Sequence, residues 1–169
     1  MAHGLVSEAM RRELLVVTCV RNPYDRLVSI YAKRRGAPPD RVADPESWLF
    51  GPKGLGRAAD VEWIAEHDFR QWIRRRFVRS WLLRRLLGRS RSVYDHFVDG
   101  VDVVMRYENL QADFDESIRR VGGMPCEIPR IDVNLVRDAR DYREEYDRLT
   151  RLLVRIGQHE DLARFGYSF

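Results

Sequence analysis

The chain has 169 residues, of which 44% are hydrophobic and 33% are charged, and its formal net charge is +4. This length fits a single domain over residues 1–169 with enough apolar side chains for a core. The positive charge favours an anionic partner, such as a nucleotide, a glycan or a nucleic acid, without choosing among them. Cys19 and Cys126 form neither a disulfide framework nor a metal-ligand pattern, which predicts two free thiols in a reducing compartment.

Residues 1–10 contain no apolar core of signal-peptide length. The longest apolar run, residues 14–20, is shorter than the roughly 20 residues that span a bilayer. We therefore expect a soluble, cytoplasmic protein without a transmembrane segment. The isolated histidines have no ligand spacing, so no metal site is expected either.

The first predicted element is a strand over residues 14–20. This run is short, β-branched and continuous, which is typical of a strand buried on both faces of a parallel sheet with flanking helices. Asn22 and Pro23 then suit the cap and first position of a helix that should end near Arg35, before Gly36. The apolar face of that helix has the spacing i, i+3, i+4, i+7 and consists of Tyr24, Leu27, Val28 and Tyr31.

The remaining chain predicts helices, loops and one further strand. Residues 37–59 read as a long loop and residues 60–87 as two helices, the second capped by Asp68. The buried stripe of that second helix is predicted to be Phe69, Trp72, Ile73, Phe77 and Trp81. A strand over 101–107, a helix over 111–121 and a loop over 126–140 follow. A last helix should span 142–156, and the tail 161–169 should dock through its aromatic residues. The inward positions of the last helix are predicted to be Tyr146, Leu149, Leu153 and Ile156.

The segment 20–31 carries the chemistry that the sequence predicts. Arg21 stands where a strand ends and a capped helix begins, and ligands bind at that edge of open α/β sheets. A helix N-terminus attracts anions, an arginine fork binds phosphate through two bonds, and a serine hydroxyl adds another. The predicted polar face of the helix consists of Asn22, Arg26, Ser29 and Lys33. From the pattern alone, a solvated surface helix is the commoner alternative to an oxyanion cradle.

These residues resemble the 3'-phosphate motif of sulfotransferases that use 3'-phosphoadenosine 5'-phosphosulfate. In that motif an Arg at a strand end is followed by Pro two residues later and by Ser eight residues later, as in Arg21, Pro23 and Ser29. Residues 101–114 resemble the family's second strand with its R-Y/F-E-N/D-L element, and residues 161–169 resemble its C-terminus. The version of the motif here resembles the carbohydrate (family 2) sulfotransferases and their bacterial relatives through Tyr24, Arg26 and Tyr31.

The resemblance implies an α/β, P-loop-NTPase-like sulfotransferase fold, a parallel sheet with flanking helices. It implies transfer of a sulfuryl group from 3'-phosphoadenosine 5'-phosphosulfate to a hydroxyl of a carbohydrate, without a metal. Arg21 and Ser29 would bind the donor's 3'-phosphate, and Arg26 would support them. Glu108 could stabilise the end of the second strand by pairing with an arginine. No residue is assigned as catalytic, and a solvated helix face is the better reading of the possible bases Glu62, Glu66, His67 and Asp68.

The family's P-K-x-G-T/S-T/S loop, which wraps the 5'-phosphosulfate, is absent from residues 1–12. The sequence therefore predicts a domain whose first strand and 5'-phosphosulfate loop are missing, with an exposed apolar sheet edge. Residues 52–56 are no substitute, because they follow the motif and lack Ser or Thr. A sequence that starts too late, a decayed fragment and a partner that supplies the missing piece would each explain this, in that order of preference.

Two other functions stay open. The chain could be an inactive remnant that at most binds the nucleotide. The arginine-rich stretch 70–91 could instead bind nucleic acid, steer an anionic acceptor, or form the solvated face of a packed helix. Nucleic acid is the less favoured partner, because no recognisable nucleic-acid-binding motif accompanies the stretch.

Overall fold

The computed structural model describes residues 8–36, 58–87, 94–129 and 141–169. The strands are β1 (Val17–Val20) and β2 (Val103–Arg106), and two 3₁₀ helices span Tyr107–Asn109 and Tyr142–Glu145. The α-helices are α1 (Glu8–Glu13), α2 (Pro23–Arg35), α3 (Ala58–Glu66), α4 (Phe69–Leu87), α5 (Asp95–Val98), α6 (Leu110–Arg120), α7 (Arg148–Gly157) and α8 (His159–Phe165). The segment 52–56 lies entirely outside the described residues, as do residues 37–57 of the predicted loop over 37–59 and residues 130–140 of the loop over 126–140.

Two compact units divide the chain. Unit 1 comprises Met1–Arg21 and Arg91–Ile131, and unit 2 comprises Asn22–Ser90 and Asp132–Phe169. That residues 1–169 form a single sulfotransferase domain stays a prediction. Each unit is described by itself below.

Unit 1 contains the parallel pair of strands that the sequence predicted. β1 and β2 pair in the register Val17 with Val103 through Val20 with Arg106. The Asp102 carboxylate accepts the Val16 amide at 2.8 Å at one end of the pair. At the other end the Arg106 amide donates to the Asp113 carboxylate of α6 at 2.6 Å. Small parallel strands between helices agree with the predicted α/β class.

The prediction that the first strand is buried on both faces is wrong for β1. Leu14 and Val17 are 47% and 39% exposed, and of the four strand residues only Val20 is buried, at 1%. Within the described part of the chain β1 pairs with β2 alone. A two-stranded layer cannot enclose a strand on both faces, because that requires neighbours and covering helices on each side.

Unit 2 is built around α2, which forms where its local signals predicted. The Asn22 side chain accepts the Tyr24 amide at 3.0 Å, Pro23 occupies the first turn, and Gly36 is the C-cap. The four predicted apolar positions of α2 are all buried in one core. Asp68 and Gln71 cap α4 reciprocally. The Asp68 carboxylate accepts the Gln71 backbone amide at 2.8 Å, and the Gln71 side-chain oxygen accepts the Asp68 backbone amide at 2.9 Å. The core of unit 2 also includes Ile64, Phe69, Trp72, Ile73, Phe77 and Val154.

The helix predicted over residues 142–156 is interrupted. Asp147 and Thr150 form a capping box, with the Thr150 amide 2.7 Å from the Asp147 carboxylate, so α7 begins at Arg148. Leu149 and Ile156 were predicted to point inward but are 49% and 47% exposed, whereas Thr150 and Val154 are fully buried. Because residues 150 and 154 define the inner face, residues 149 and 156 turn outward.

The C-terminal tail docks on the core, as predicted, but through a helix that the sequence did not predict. α8 is capped at its C-terminus by Gly166, whose φ of 65° lies in the left-handed region that favours glycine. The Phe169 ring then packs edge-on against Tyr24 and Tyr146, with centroids 4.9 and 5.6 Å apart. None of the helices in the described ranges is long and apolar enough to cross a membrane.

Candidate functional site

Arg21 lies at the carboxyl end of the parallel strand pair in unit 1. Because Val20 pairs with Arg106, the residues that follow each strand, Arg21 and Tyr107, come next at the same edge. The Arg21 guanidinium lies over the Tyr107 ring, 4.2 Å from its centroid. A cation over an aromatic face is attracted by the ring, which restrains the position of the guanidinium. This is the edge of the sheet at which the sequence predicted an anion site.

The backbone of Arg21 is held by Tyr94. The Tyr94 hydroxyl accepts the Arg21 amide N–H at 3.1 Å and donates to the Arg21 carbonyl at 3.0 Å. The Tyr94 side chain is itself buried, at 6% exposure. Sequence reasoning missed both tyrosines. Tyr107 belongs to the R-Y-E-N-L element and could have been found there, whereas Tyr94 carries no sequence signal for this contact.

The charges around this strand end include acidic groups. The pKa of the Cys19 thiol is raised, first by desolvation and then by the charges of Glu108 and Asp113. The Arg21 charge opposes this shift in the Cys19 pKa. A raised pKa favours the protonated thiol and lowers its nucleophilicity at neutral pH. Glu108 is exposed, and it lies at the same end of the strand pair as Arg21.

The other two predicted site residues, Ser29 and Arg26, lie on α2 in unit 2. Ser29 is 6% exposed and Arg26 is partly buried. The Arg26 guanidinium donates to the side-chain oxygen of Gln158, itself 6% exposed, at 2.9 Å. This bond ties α2 to the junction of α7 and α8, a role that sequence reasoning did not assign to Arg26.

Two of the four residues on the predicted polar face of α2, Asn22 and Ser29, are buried, whereas the pattern alone favoured a solvated face. Asn22 is 8% exposed, and its side-chain amide donates to the Ser168 carbonyl at 2.9 Å and to the Tyr142 hydroxyl at 3.3 Å. The tail therefore packs at the N-terminal end of α2, where the sequence alone suggested solvent. The boundary between the two units falls between Arg21 and Asn22, so Arg21 belongs to one unit and Arg26 and Ser29 to the other.

The four possible bases lie on α3 or directly after it, where they are exposed or make contacts within unit 2. Glu62 and Glu66 are exposed, which agrees with a solvated helix face. The His67 ring stacks on Trp63 at 3.6 Å between centroids, and its Nδ1 lies 2.7 Å from the Trp63 carbonyl. Asp68 is used as the cap of α4. No group of three or more His, Cys, Asp or Glu in the described ranges could hold a metal ion.

The arginines in the first half of α4 are engaged within unit 2. Arg70 donates to the Glu145 carbonyl at 3.1 Å, and Arg74 forms an ion pair with Asp147. Arg75 and Arg76 lie over the rings of Trp63 and Trp72, 4.7 and 5.5 Å from their centroids. These contacts favour the packed-helix interpretation of this stretch over a nucleic-acid-binding stripe, which needs guanidinium groups directed at phosphates.

Comparison with known proteins assigns the family. Residues 1–124 match the family model of the sulfotransferase domain. The match covers most of the chain, which therefore belongs to the sulfotransferase family, a family of transferases. It includes both strands and the whole segment from Arg21 to Ser29. Neither the curated proteins nor the solved structures contain a match to this sequence.

Proposed function

We propose that the chain acts in transfer of a sulfuryl group from 3'-phosphoadenosine 5'-phosphosulfate to a hydroxyl of a carbohydrate. The observation that carries this proposal is Arg21 at the carboxyl end of β1, with its guanidinium on Tyr107 and its backbone bonded to Tyr94. The next residue, Asn22, caps α2. An arginine fork whose backbone and guanidinium are both held in place suits a phosphate.

In this proposal Arg21 binds the donor's 3'-phosphate through two N–H groups of its fork. Ser29 donates one hydroxyl hydrogen bond to the same phosphate. Arg26 supports the pair by holding α2 through its bond to Gln158. Because Ser29 is 6% exposed, its ligand role requires the phosphate to reach a covered hydroxyl, and the Ser29 variant below tests this separately.

The reaction is an in-line displacement at sulfur. The acceptor oxygen forms a bond to sulfur while the bond from sulfur to the bridging oxygen breaks, and the electron pair of that bond stays on the nucleotide. A base takes the proton of the acceptor hydroxyl. The three proposed residues act at the 3'-phosphate, away from the sulfur atom. They contribute by orienting the bound donor for in-line attack. We propose no residue as the catalytic base.

The acceptor class is the most specific part of the proposal. It rests on the likeness of residues 20–31 to the carbohydrate sulfotransferases and on the net charge of +4, which favours anionic ligands. Transfer of radiolabelled sulfate from the donor to a panel of neutral and acidic glycans, beside phenols and steroid alcohols, tests it. Labelling of phenols or steroids without labelling of glycans would overturn the acceptor assignment and leave sulfuryl transfer intact.

The nucleotide site is tested by calorimetric titration of the chain with adenosine 3',5'-bisphosphate and with adenosine 5'-phosphate. We expect tighter binding of the bisphosphate and loss of that preference in Arg21→Ala and Ser29→Ala. Removal of a charge-assisted bond of this kind costs about 1.5–3 kcal/mol, or roughly ten- to hundredfold in Kd. Arg119→Ala is the matched control, because Arg119 is an exposed arginine of unit 1 that pairs with Glu116 at 3.6 Å. Equal loss in Arg119→Ala, or unchanged preference in Arg21→Ala, would refute the site.

A further inference from the structure

We infer that Tyr94 is a positioning residue for Arg21, and that its hydroxyl sets the direction in which the phosphate-binding guanidinium points. This inference rests on the proposed function, because it takes Arg21 as the ligand of the 3'-phosphate. Tyr94 itself touches neither the donor nor the acceptor in this proposal. It acts through the backbone of Arg21.

One buried hydroxyl makes two bonds to the backbone of one residue. It accepts the Arg21 amide N–H at 3.1 Å and donates to the Arg21 carbonyl at 3.0 Å. β1 ends at Val20, so Arg21 follows the last residue of the strand ladder. Tyr94 supplies a donor and an acceptor at the place where the ladder stops. The two bonds together restrain the amide on each side of the Arg21 Cα atom.

The side chain of the same arginine is restrained at its other end. Its guanidinium lies 4.2 Å from the centroid of the Tyr107 ring. Tyr94 therefore fixes where the side chain starts and Tyr107 fixes where it ends. A long side chain held at both ends loses fewer rotamers when it binds an anion, and a two-bond arginine–phosphate contact depends on direction. Loss of the Tyr94 hydroxyl should weaken recognition of the 3'-phosphate although no ligand contact is removed.

The test is Tyr94→Phe, which keeps the buried ring and removes both hydrogen bonds. The readout is the ratio of the Kd values for adenosine 5'-phosphate and adenosine 3',5'-bisphosphate in calorimetric titrations of the chain. We expect this ratio to fall about tenfold, the equivalent of one hydrogen bond to a charged group. A purely structural role for Tyr94 would weaken binding of both nucleotides alike and leave the ratio unchanged, which would overturn the inference.

The matched control is Tyr31→Phe. The Tyr31 hydroxyl also has two partners, because it donates to the His67 carbonyl at 2.7 Å and accepts from Arg35 at 2.8 Å. Tyr31 is 8% exposed, close to the 6% of Tyr94, and its hydroxyl has no bond to Arg21. Tyr31→Phe should lower thermal stability and leave the Kd ratio as in the wild-type chain. An equal fall of the ratio in both variants would overturn the inference.

Arg21→Ala separates failure of this inference from failure of the proposed function. If Arg21→Ala abolishes the preference for the bisphosphate while Tyr94→Phe leaves it intact, Tyr94 is no positioning residue and the nucleotide site stands. If the wild-type chain shows no preference, or Arg21→Ala leaves it unchanged, the proposed site falls and the inference falls with it.

A measurement on the wild-type chain covers the case in which Tyr94→Phe does not fold. The Arg21 amide is bonded to a buried hydroxyl, so its hydrogen exchange should be slower than in an unstructured peptide. Addition of the bisphosphate should increase this protection further. Exchange of the Arg21 amide at the unprotected rate in the free chain would contradict the restraint and overturn the inference.

Discussion

Replacement of Asn22 should separate the stability of the chain from its affinity for the nucleotide. The Asn22 side chain has two roles in unit 2. Its oxygen accepts the Tyr24 amide at 3.0 Å and caps α2, and its amide donates to the Ser168 carbonyl at 2.9 Å. Asn22→Ala removes both roles. Asn22→Asp keeps the cap, loses the donor to the tail and adds a negative charge beside Arg21 in the sequence.

The magnitudes follow from these contacts. A lost cap costs about 1 kcal/mol, and the lost bond to the tail about another 1 kcal/mol. Asn22→Ala should therefore lower the free energy of unfolding by about 2 kcal/mol, which for this chain length is roughly 4–8 °C in Tm. In Asn22→Asp a carboxylate at the helix N-terminus recovers about 0.3–1 kcal/mol, but its second oxygen faces the Ser168 carbonyl at a buried position, which should cost about 1–3 kcal/mol. Its added charge should weaken binding of adenosine 3',5'-bisphosphate about tenfold, because like charges repel.

Urea unfolding followed by far-UV circular dichroism, with calorimetric titration of the same samples, measures both quantities. Both variants should be less stable than the wild type. The order of affinity for the bisphosphate should place Asn22→Asp last. Wild-type stability in Asn22→Ala would refute the double role of the side chain. Unchanged affinity in Asn22→Asp would refute an anion site next to this residue.

Two further predictions concern the packing of α7. A Cβ atom at Gly157 would overlap the buried Phe77 ring, so Gly157→Ala should cost about 1–3 kcal/mol in urea unfolding, with partial recovery when Phe77→Leu is added. The pKa of Asp147 is lowered to about 2, first by the Thr150 amide, and the Arg74 pair contributes. Because the pKa is lower in the folded chain, this stability is present above about pH 4 and lost as the pH falls toward 2. Thermal melts of the wild-type chain and Asp147→Ala should therefore differ at pH 6 by about 1–2 kcal/mol and converge near pH 2, and a constant difference would contradict this linkage.

The elements that could be predicted from the sequence are those with local signals. α2 has the predicted bounds because Asn22, Pro23 and Gly36 act within a turn of the helix they delimit. Asp68 caps α4 for the same reason. The break before α7 was missed although Asp147 and Thr150 stand three residues apart. The continuous apolar spacing over 142–156 was given more weight than this cap.

Burial and contacts between distant residues could not be predicted in the same way. The run 14–20 reads as an internal strand, but its burial depends on how many strands and helices lie beside it. The polar spacing of Asn22 and Ser29 predicts a solvated face, yet the tail packs at Asn22, 146 positions from Ser168. Local pattern contains no information about which side of a helix another segment will cover.

By itself, the sequence determined the family, the α/β class, the capped helix after the first strand and the position of Arg21 at a strand end. Only the tertiary structure decided what surrounds that arginine. The Tyr94 hydroxyl is 73 positions away along the chain and reaches both backbone groups of Arg21 because the chain returns to pair β2 with β1. A short-range pattern places Arg21 at the strand end, whereas the surroundings of its side chain depend on contacts that form only when the unit folds.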